Sequence, residues 1–473
     1  MHIRALLLSI LTLAAVAPTT AAATTPWVGF NDLSSVAGRV PFDTAAQAAA
    51  NAGSTSTRVI VDWSWLEHAP GQYSWGMLDG MYWADVKRGL HPLIGITGAP
   101  RWAWPADATC PTTTHCAYPQ DRGHDGAYQE VVRRLVKRYP QAAAFQVGNE
   151  PNLSWAWAGG LNPARYTELL KLAYEAVKSV NPAMPVVSAG LAPVLGETNT
   201  ADAMGMRRYL QAMYDNGAKG HMDGIGVHPY PHNVHLSNTF AALSIAKEVR
   251  TANGDSVPLW ATEFGLSTTS AFNPFDQGIT VPAVYDVLRN DPEIRGVYMH
   301  TLYDDPSNGE ISERGFGMLA TDQTPKPAFC NVARANNSAW ACPANVAPAV
   351  PSAAQSARWK AQILLQAAAD AARRFRAQTG SYAGLTATAL NALDTRIKRQ
   401  AAPDSLMPGA NADPAKIAIF PLNANGVLLC NASTSVYSYC FGTAWNTRWL
   451  YAKGTGSLAT TAAALMGGTS TSW

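Results

Sequence analysis

Between Trp27 and Ala328, short apolar runs alternate with longer amphipathic runs, which is the pattern of repeated βα units. The predicted strands are Val28–Asn31, Thr57–Asp62, His91–Thr97, Ala144–Asn149, Val186–Ala189, Gly224–His228, Leu259–Glu263 and Gly296–Thr301. The clearest helices are Ala45–Ala52, Gly76–Arg88, Gly126–Tyr139, Pro163–Val180, Met204–Asn216 and Thr239–Ala252. Eight parallel strands with crossover helices close most naturally into a barrel, so we predict an α/β protein with a (β/α)8 TIM barrel. The alternative, an open doubly wound sheet, lacks the glycine-rich phosphate loop expected after its first strand.

The N-terminus predicts export. A short basic start precedes the apolar run Ala5–Val16, and small residues follow from Thr19 to Thr25. This is the layout of a secretory signal peptide, and the apolar run is too short to span a bilayer. We therefore predict a signal peptide over residues 1–23 and a secreted, extracellular protein. No later apolar run is long enough for a membrane span.

Composition divides the rest of the chain. We predict the barrel over residues 24–341, a linker rich in Ala and Pro over 342–356, and a small α+β module over 357–473. The module begins with the helical run Ala357–Thr379, which Gly380 ends. Its strand-like pieces are Ile417–Phe420, Val427–Leu429 and Tyr437–Phe441.

The charged residues and cysteines exclude several kinds of site. The formal net charge is +2 with Lys and Arg scattered, so we expect no nucleic-acid partner. No C-x-x-C or H-E-x-x-H spacing occurs, and we expect neither a metal nor a cofactor. Six cysteines allow many pairings, but short loops close most readily in an oxidising compartment. The predicted disulfides are Cys110–Cys116, Cys330–Cys342 and Cys430–Cys440.

Two apolar strands each end in a glutamate. The fourth strand ends in Gly148-Asn149-Glu150-Pro151, and the seventh ends in Thr262-Glu263-Phe264-Gly265. The active site of a barrel of this kind lies at the C-terminal ends of its strands. Two carboxyl groups that face each other across a cleft are the minimum apparatus for cleaving a glycosidic bond, because one must donate a proton while the other attacks the anomeric carbon.

These two glutamate motifs resemble those of the clan A glycoside hydrolases, nearest to families 39 and 5. The resemblance covers Trp27 to Ala328. Its other elements are Arg58 on the second strand, the stretch Glu67-His68-Ala69-Pro70-Gly71-Gln72-Tyr73-Ser74-Trp75, the tripeptide His228-Pro229-Tyr230, and Gly315-Phe316-Gly317-Met318-Leu319 running to Pro325-Lys326-Pro327-Ala328.

The resemblance implies a role for each matching residue. Glu150 corresponds to the acid/base and Glu263 to the nucleophile. Asn149 corresponds to the side chain that hydrogen-bonds the sugar 2-hydroxyl, a bond that should strengthen as positive charge develops on the sugar. The structural alternative for a glutamate at a strand end is a charge at a helix N-terminus or a member of a surface ion pair.

The same resemblance implies three supporting residues. Arg58 and Tyr230 correspond to groups that orient the nucleophile, and His228 corresponds to a residue lining the pocket. The structural alternatives are an ion pair inside the barrel for Arg58, a core histidine for His228, and packing beneath a loop for Tyr230.

Aromatic residues near strand ends are candidate sugar platforms, although each is as readily explained by packing. They are Trp63, Trp102, Trp155 and Trp157. Many clan members carry a tryptophan on the eighth strand under the reactive sugar, and this sequence has none there. Tyr298, His300 or Tyr303 would have to take its place. We expect Trp155 and Tyr298 to bind substrate.

In the C-terminal module, only one short segment resembles a known family. Its stretch Ala371–Tyr382 resembles the transition from helix to Gly-Ser-Tyr in type IV pilin-like domains. The helix lacks the long apolar segment of a pilin. A glycan-contacting accessory and a purely structural appendage both remain open.

Together these features predict a secreted retaining glycoside hydrolase that acts on O-glycosidic, β-linked oligo- or polysaccharides by double displacement. We expect a monomer whose partner is carbohydrate. A transglycosylase would use the same two glutamates. A non-catalytic glycan-binding barrel is the alternative from another class, and the presence of both glutamates argues against it.

Overall fold

A computed structural model describes residues 25–31, 40–109, 118–269, 271–393, 418–423, 426–432, 438–443 and 450–454. The strands of its large sheet are β1 Trp27–Asn31, β2 Ser56–Asp62, β3 Leu93–Thr97, β4 Ala144–Asn149, β5 Val186–Gly190, β6 Ile225–Val227, β7 Leu259–Phe264 and β8 Ile294–Met299. The helices that follow these strands are α1 Phe42–Asn51, α2 Gly76–Val86, α3 Asp125–Arg138, α4 Pro163–Val180, α5 Met206–Asp215, α6 Ser237–Ala252, α7 Pro274–Arg289 and α8 Pro327–Ala335.

All eight strands are parallel and form a closed barrel. The ladder runs in the order β5-β4-β3-β2-β1-β8-β7-β6. Parallel bridges Val187–Gly224 and Leu191–Val227 join β5 to β6 and close the ring. The predicted TIM barrel is therefore confirmed. Its closure brings the C-terminal ends of all eight strands to one face, where polar residues from distant parts of the chain can meet.

Local sequence explains where most helices begin. Pro163 occupies the first turn of α4, and the side chain of Asn162 accepts a hydrogen bond from the Arg165 amide. Asn273 and Asp276 form a capping box at the start of α7. Helices α7 and α8 were not among the clearest predicted helices. Pro282 inside α7 weakens its helical pattern, because proline removes a backbone donor.

The stretch that follows β2 forms a small clip. Glu67 begins the short strand Glu67–Ala69, which pairs with Gln72–Tyr73. Its carboxylate accepts hydrogen bonds from the Trp63 indole at 2.7 Å and from the Gly71 amide at 2.7 Å, and its carbonyl accepts one from the Trp102 indole at 3.1 Å. This part of the clan A resemblance therefore fixes a loop beside the cleft rather than supplying a reacting group.

The C-terminal module contains two helices and an antiparallel sheet. Helix α9 spans Ala353–Thr379 and α10 spans Ala387–Leu393. Four strands follow in sequential order in the sheet, namely β9 Ala418–Asn423, β10 Gly426–Ala432, β11 Ser438–Thr443 and β12 Leu450–Gly454. Leu429 of β10 packs with apolar residues of α9 and α10. These elements make the module α+β.

Helix α9 contacts the barrel through buried charges. Lys247 of α6 lies 2.6 Å from Asp291 and 2.5 Å from Asp370 of α9, and all three side chains are almost fully buried. Arg374 of α9 donates to Glu293 at 2.7 Å. Since removing one partner of a buried ion pair is strongly destabilising, these contacts hold the first helix of the module against the barrel.

The predicted linker, residues 342–356, is largely fixed in place. Helix α9 begins within it at Ala353, where the Ser352 side chain accepts from the Gln355 amide. Ala349 is buried, and its carbonyl accepts from Asn331 at 2.9 Å.

Of the predicted disulfides, Cys330–Cys342 is present, with its Cα atoms 5.4 Å apart. The backbone register places Cys430 opposite Cys440 on adjacent strands, and that disulfide stays a prediction. Cys110 and Cys116 lie outside the described residues, as does the predicted signal peptide 1–23. None of the helices in the described part of the chain has the length and apolar character that a membrane crossing requires.

Asp85 is a buried carboxyl group behind β2. Its Oδ2 accepts from the Thr57 hydroxyl at 2.5 Å, while its Oδ1 is buried without a hydrogen-bond partner among the described residues. Burial is the main cause that raises the pKa of Asp85 from 3.8 to about 7, against the lowering effects of Thr57 and Arg88. The folded protein therefore favours the protonated form, and this contribution to stability is lost as pH rises from about 4 to about 7.

We expect Asp85→Asn to stabilise the protein at pH 8 by up to about 4 kcal/mol, because the amide keeps the shape without the buried charge. The gain should shrink as pH falls and be smallest near pH 4. Denaturant unfolding of both proteins across this range measures the difference. A stability difference that does not change with pH would show that Asp85 is not the titrating group.

Candidate active site

Side chains carried by four strands, or directly following them, meet in one cleft. Arg58 lies on β2, Glu150 directly after β4, His228 directly after β6, and Glu263 on β7. Tyr230 follows two residues after His228. All five were singled out in the sequence, and the structure brings them together.

Glu150 is held at the end of β4 by an unusual backbone. It has a φ of 43° and Gly148 a φ of 81°, so the strand turns sharply here. The Glu150 amide donates to the Gly190 carbonyl at 3.0 Å, which ties the turn to β5. The Glu150 Oε1 lies 2.7 Å from His228 Nδ1. These contacts aim a carboxyl group that is 12% exposed into the cleft.

Glu263 is held as an anion. Arg58 Nη1 donates to its Oε1 at 2.6 Å, and the Tyr230 hydroxyl donates to its Oε2 at 2.9 Å. Burial alone would raise the pKa of Glu263, but positive charge on His228 and Arg58 outweighs it and holds that pKa well below its ordinary value. Burial and the nearby carboxylates raise the pKa of Tyr230, which keeps its hydroxyl neutral as a donor. An ionised carboxylate fixed by two donors is suited to act as a nucleophile.

Arg58 is fully buried. In addition to its ion pair with Glu263, it donates hydrogen bonds to three neutral side chains. Nε donates to Gln146 Oε1, Nη1 to Asn31 Oδ1 and Nη2 to Asn149 Oδ1, each at 2.7 Å. These amides fix the plane of the guanidinium without neutralising its charge. Asn31 and Gln146 were not singled out in the sequence. The available signal was their position, since each is a polar residue in an otherwise apolar barrel strand.

The contact with Arg58 also orients Asn149. A guanidinium can only donate, so the Asn149 oxygen must face Arg58. Its amide nitrogen is then the atom left to donate, as the predicted bond to a sugar 2-hydroxyl requires.

Glu150 and Glu263 face each other at short range. One oxygen of each carboxyl group and one nitrogen of His228 lie within 4.8 Å of one another. Glu263 Oε2 is 3.7 Å from His228 Nδ1. The two carboxyl groups and the His228 imidazole therefore share one small part of the cleft.

The described residues contain two clusters spaced like metal ligands. In the first, Glu150, His228 and Glu263, the guanidinium of Arg58 already supplies positive charge to Glu263. In the second, Asp291, Glu293 and Asp370, the ammonium of Lys247 lies among the carboxylates. Protein cations therefore already compensate the charge in both clusters.

Tyr298 does not lie where we expected it. It is fully buried in the barrel, its ring stacks on Trp260, and its hydroxyl lies 2.9 Å from Ser56 Oγ at the start of β2. Arg58 occupies the level of the barrel above it and separates it from the cleft. Tyr298 is therefore a packing residue and cannot contact a sugar. Tyr303 is likewise buried, which leaves His300 as the aromatic residue from this strand end that borders the cleft.

The tryptophans near strand ends divide into two kinds. Trp63 is fully buried and Trp157 nearly so, and Trp102 is tied to the Glu67 clip. These are explained by packing. Trp155 is 53% exposed on the loop after β4, and its role as a sugar platform stays a prediction.

Gly190 leaves room for His228. A Cβ atom on Gly190 would lie 2.0 Å from His228 Nε2 and 2.4 Å from Thr262 Oγ1. His228 is fully buried and cannot move away without losing Glu150.

We expect Gly190→Ala to lower kcat/KM about 100-fold, because the displaced imidazole no longer positions Glu150. The matched control is Gly196→Ala, whose added Cβ meets Thr198 Oγ1 at an ordinary 3.6 Å. An unchanged kcat/KM in a folded Gly190→Ala variant would mean that catalysis does not depend on the contact between His228 and Glu150.

No protein-family model and no curated protein matches the sequence. The fold is similar to solved structures. A family 39 glycoside hydrolase from Bacteroides cellulosilyticus WH2 is 17% identical over 88% of this chain and 70% of that chain, with a TM-score of 0.51. A monomeric β-xylosidase from Caulobacter crescentus CB15 is 17% identical over 66% and 68%, with a TM-score of 0.51. A subfamily 18 member of glycoside hydrolase family 5 from Streptomyces cattleya, in complex with GlcNAc, is 16% identical over 73% and 92%, with a TM-score of 0.51. At these identities the similarity shows a shared barrel fold.

Proposed function

We propose that this protein is a secreted retaining glycoside hydrolase that cleaves β-linked oligo- or polysaccharides. The observation that carries the proposal is the pair Glu150 and Glu263, whose oxygens approach within 4.8 Å while Arg58 and Tyr230 hold Glu263 ionised. A structural ion pair would need only Arg58 and Glu263. The second carboxyl group, aimed at the first across the cleft, is what glycosidic cleavage requires.

In the first step, the Glu263 carboxylate attacks the anomeric carbon and the bond to the leaving oxygen breaks. Glu150 gives its proton to that oxygen, and the sugar becomes esterified to Glu263. In the second step, the Glu150 carboxylate takes a proton from water, the water oxygen attacks the anomeric carbon, and Glu263 leaves. Two inversions restore the original configuration.

His228 suits both states of Glu150. If its Nδ1–H donates to Glu150 Oε1, the other carboxyl oxygen is left to carry the reacting proton. The same hydrogen bond is present whether Glu150 is acid or base. His228 is therefore a positioning residue, and Asn149 stabilises the transition state through the sugar 2-hydroxyl.

Export is part of the proposal. The N-terminal pattern of residues 1–23 supports it, and so does the Cys330–Cys342 disulfide, since disulfides persist in oxidising compartments.

The test is a screen of the purified protein against arrayed plant, fungal and bacterial glycans and a panel of aryl β-glycosides. For each substrate that is cleaved, ¹H NMR of the first product gives its anomeric configuration. We expect cleavage of at least one β-glycoside with retention. First products of inverted configuration would contradict double displacement, and binding without cleavage would favour a glycan-binding protein.

A further inference from the structure

A groove of about 420 Å³ lies on the outer wall of the barrel between α1 and α8. The residues that line it come from these two helices, from the loop after β8, and from the segments that follow α2 and α8. None of the candidate active-site residues is among them. The volume is within the range of about 300–1,000 Å³ that is typical of sites for small molecules. The groove is therefore a second candidate site, separate from the cleft.

One wall of the groove is a row of polar side chains on α1. Asp43, Gln47 and Asn51 follow one another at intervals of four residues, so they share one face of the helix. Arg88, just after α2, donates to Asp43 Oδ1 at 2.6 Å and to Gln47 Oε1 at 3.2 Å. Gln47 Nε2 donates to Asn51 Oδ1 at 3.0 Å. The row is thus ordered before a ligand binds, which lowers the entropy cost of binding.

These hydrogen bonds determine which polar atoms the row offers to a ligand. Arg88 can only donate, so the Gln47 oxygen faces it and the Gln47 amide nitrogen faces Asn51. The Asn51 oxygen is then the acceptor, and the Asn51 amide nitrogen is left to donate. The Asp43 carboxylate, whose side chain is 61% exposed, can accept. A hydroxyl group both donates and accepts, so it can use both kinds of atom.

The other wall is apolar. Trp340 is half-buried, and its ring meets that of the buried Phe329 edge-on with the centroids 5.1 Å apart. Leu319 and Pro325 extend this wall toward the loop after β8. The Trp340 indole N–H has no hydrogen-bond partner among the residues that the structure describes. An indole therefore presents both an apolar ring and a donor, which suits a sugar ring with its apolar C–H face and its hydroxyls.

A buried hydroxyl group also lines the groove. Tyr303 is 2% exposed, and its hydroxyl lacks a hydrogen-bond partner in the described part of the chain. Burial raises the pKa of Tyr303 to about 12, so the hydroxyl keeps its proton. A buried polar atom without a partner destabilises the folded state unless a bound group supplies the hydrogen bond. A ligand hydroxyl at the inner end of the groove is such a group.

The charges of the lining indicate the kind of ligand. Of the described residues that line the groove, only Asp43 and Arg88 are charged, and they form an ion pair. A lining without net charge favours a neutral ligand over a phosphate or an acidic chain. A peptide would need a sheet edge or a groove with apolar walls, whereas these walls are helix faces and one of them is polar. Neutral sugar units fit both walls.

We propose that this groove binds neutral sugar units of the polysaccharide that the cleft cleaves, with a sugar ring against Trp340 and its hydroxyls on the row of α1. The identity of the polymer rests on the proposed function. Holding the same chain at a second point raises the effective concentration of its bonds at the cleft. The groove therefore assists the cleavage of polymers and not that of small aryl glycosides.

Affinity electrophoresis measures binding in native gels that contain soluble xylan, glucomannan or mixed-linkage β-glucan, with polygalacturonate as the anionic comparison. The parent protein is Glu263→Ala, so the polymer stays intact. Trp340→Ala and Gln47→Ala each alter one wall, and Trp340→Phe keeps an aromatic ring. The matched control is Trp83→Ala, which removes a tryptophan that is 53% exposed on α2 and does not line the groove.

We expect at least one neutral polymer to retard the parent protein. Trp340→Ala should weaken the apparent Kd about 10-fold, because the ring contact is lost. Gln47→Ala should weaken it about 3- to 10-fold, because Arg88 and Asn51 lose the partner that orders them. Trp340→Phe and Trp83→Ala should stay close to the parent. Should Trp340→Ala not fold, Gln47→Ala decides.

The same two changes in the otherwise wild-type protein separate binding from a structural role. Each should lower kcat/KM on the polymer by a factor similar to its loss of binding, yet leave kcat/KM on the dinitrophenyl glycoside unchanged. Equal losses on both substrates in both variants would make the walls merely structural and would overturn the proposal.

Four further outcomes overturn it. No neutral polymer retards the parent, polygalacturonate alone does so, the variants of both walls bind like the parent, or Trp340→Ala abolishes a self-association seen by sedimentation velocity, which would make a second copy the occupant. In each case, cleavage of an aryl glycoside by wild type leaves the proposed function standing. If wild type cleaves no glycoside but the wall variants lose binding, the proposed function fails and the groove remains a glycan-binding site.

Discussion

Glu263→Ala is expected to abolish turnover on every glycoside, with kcat falling by roughly 10⁵-fold or more. The variant cannot form the glycosyl ester, and no other carboxylate replaces it, because Glu150 lies on the opposite side of the reacting carbon. Even a dinitrophenyl glycoside, which needs no proton donor, should remain intact. Steady-state release of dinitrophenol at saturating substrate measures the loss.

The matched control for this change is Glu175→Ala, which removes an exposed glutamate from α4. It should leave kcat unchanged. Far-UV circular dichroism and thermal unfolding of Glu263→Ala should show a folded protein, since Arg58 keeps its hydrogen bonds to Asn31, Gln146 and Asn149. Residual turnover above about one per cent in Glu263→Ala would assign the nucleophile to another residue.

Glu150→Ala is expected to behave differently on different substrates. On natural glycans kcat should fall about 10²- to 10⁴-fold, because both the proton donor and the base are lost. On a dinitrophenyl glycoside the first step should survive and the glycosyl-enzyme should accumulate, seen as a burst of dinitrophenol followed by slow turnover. Equal losses on both kinds of substrate would contradict an acid/base role for Glu150.

The barrel and the two glutamates could be predicted because each depends on local pattern. Strand runs and helix caps set the βα repeat, and Glu150 and Glu263 follow apolar strands at positions where parallel strands share one edge. Arg58, on β2, and Tyr230, in the loop after β6, were found through the motifs that carry the family resemblance. These residues can be predicted without knowing how far along the barrel axis each side chain lies.

Tyr298 shows what the sequence leaves open. Tyr298 and His300 are two residues apart, so alternation puts both on the same side of β8. The register of β8 with β1 and β2 determines their different depths. Tyr298 is a buried packing residue beneath Arg58, whereas His300 borders the cleft. Alternation predicts the face of a strand, but depth within a barrel depends on register with its neighbours.

The contact between α9 and the barrel could not be predicted for a related reason. Lys247 and Asp370 are separated by 123 residues. Taken alone, a charged residue in a helix is expected on the exposed face of that helix. Their burial follows from the packing of two helices that the sequence treats as unrelated. The sequence also predicts a linker over residues 342–356 between them, and a linker gives no indication of such a contact.

Azide rescue of the two variants tests the assignment of the glutamates most directly. Azide is a nucleophile that needs no base. In Glu150→Ala it should intercept the glycosyl-enzyme and give the β-glycosyl azide from a β-glycoside. In Glu263→Ala it can attack only from the vacated face and should give the α-glycosyl azide. ¹H NMR distinguishes the two products, and opposite anomers are the predicted result. The same anomer from both variants would contradict the roles assigned to Glu150 and Glu263.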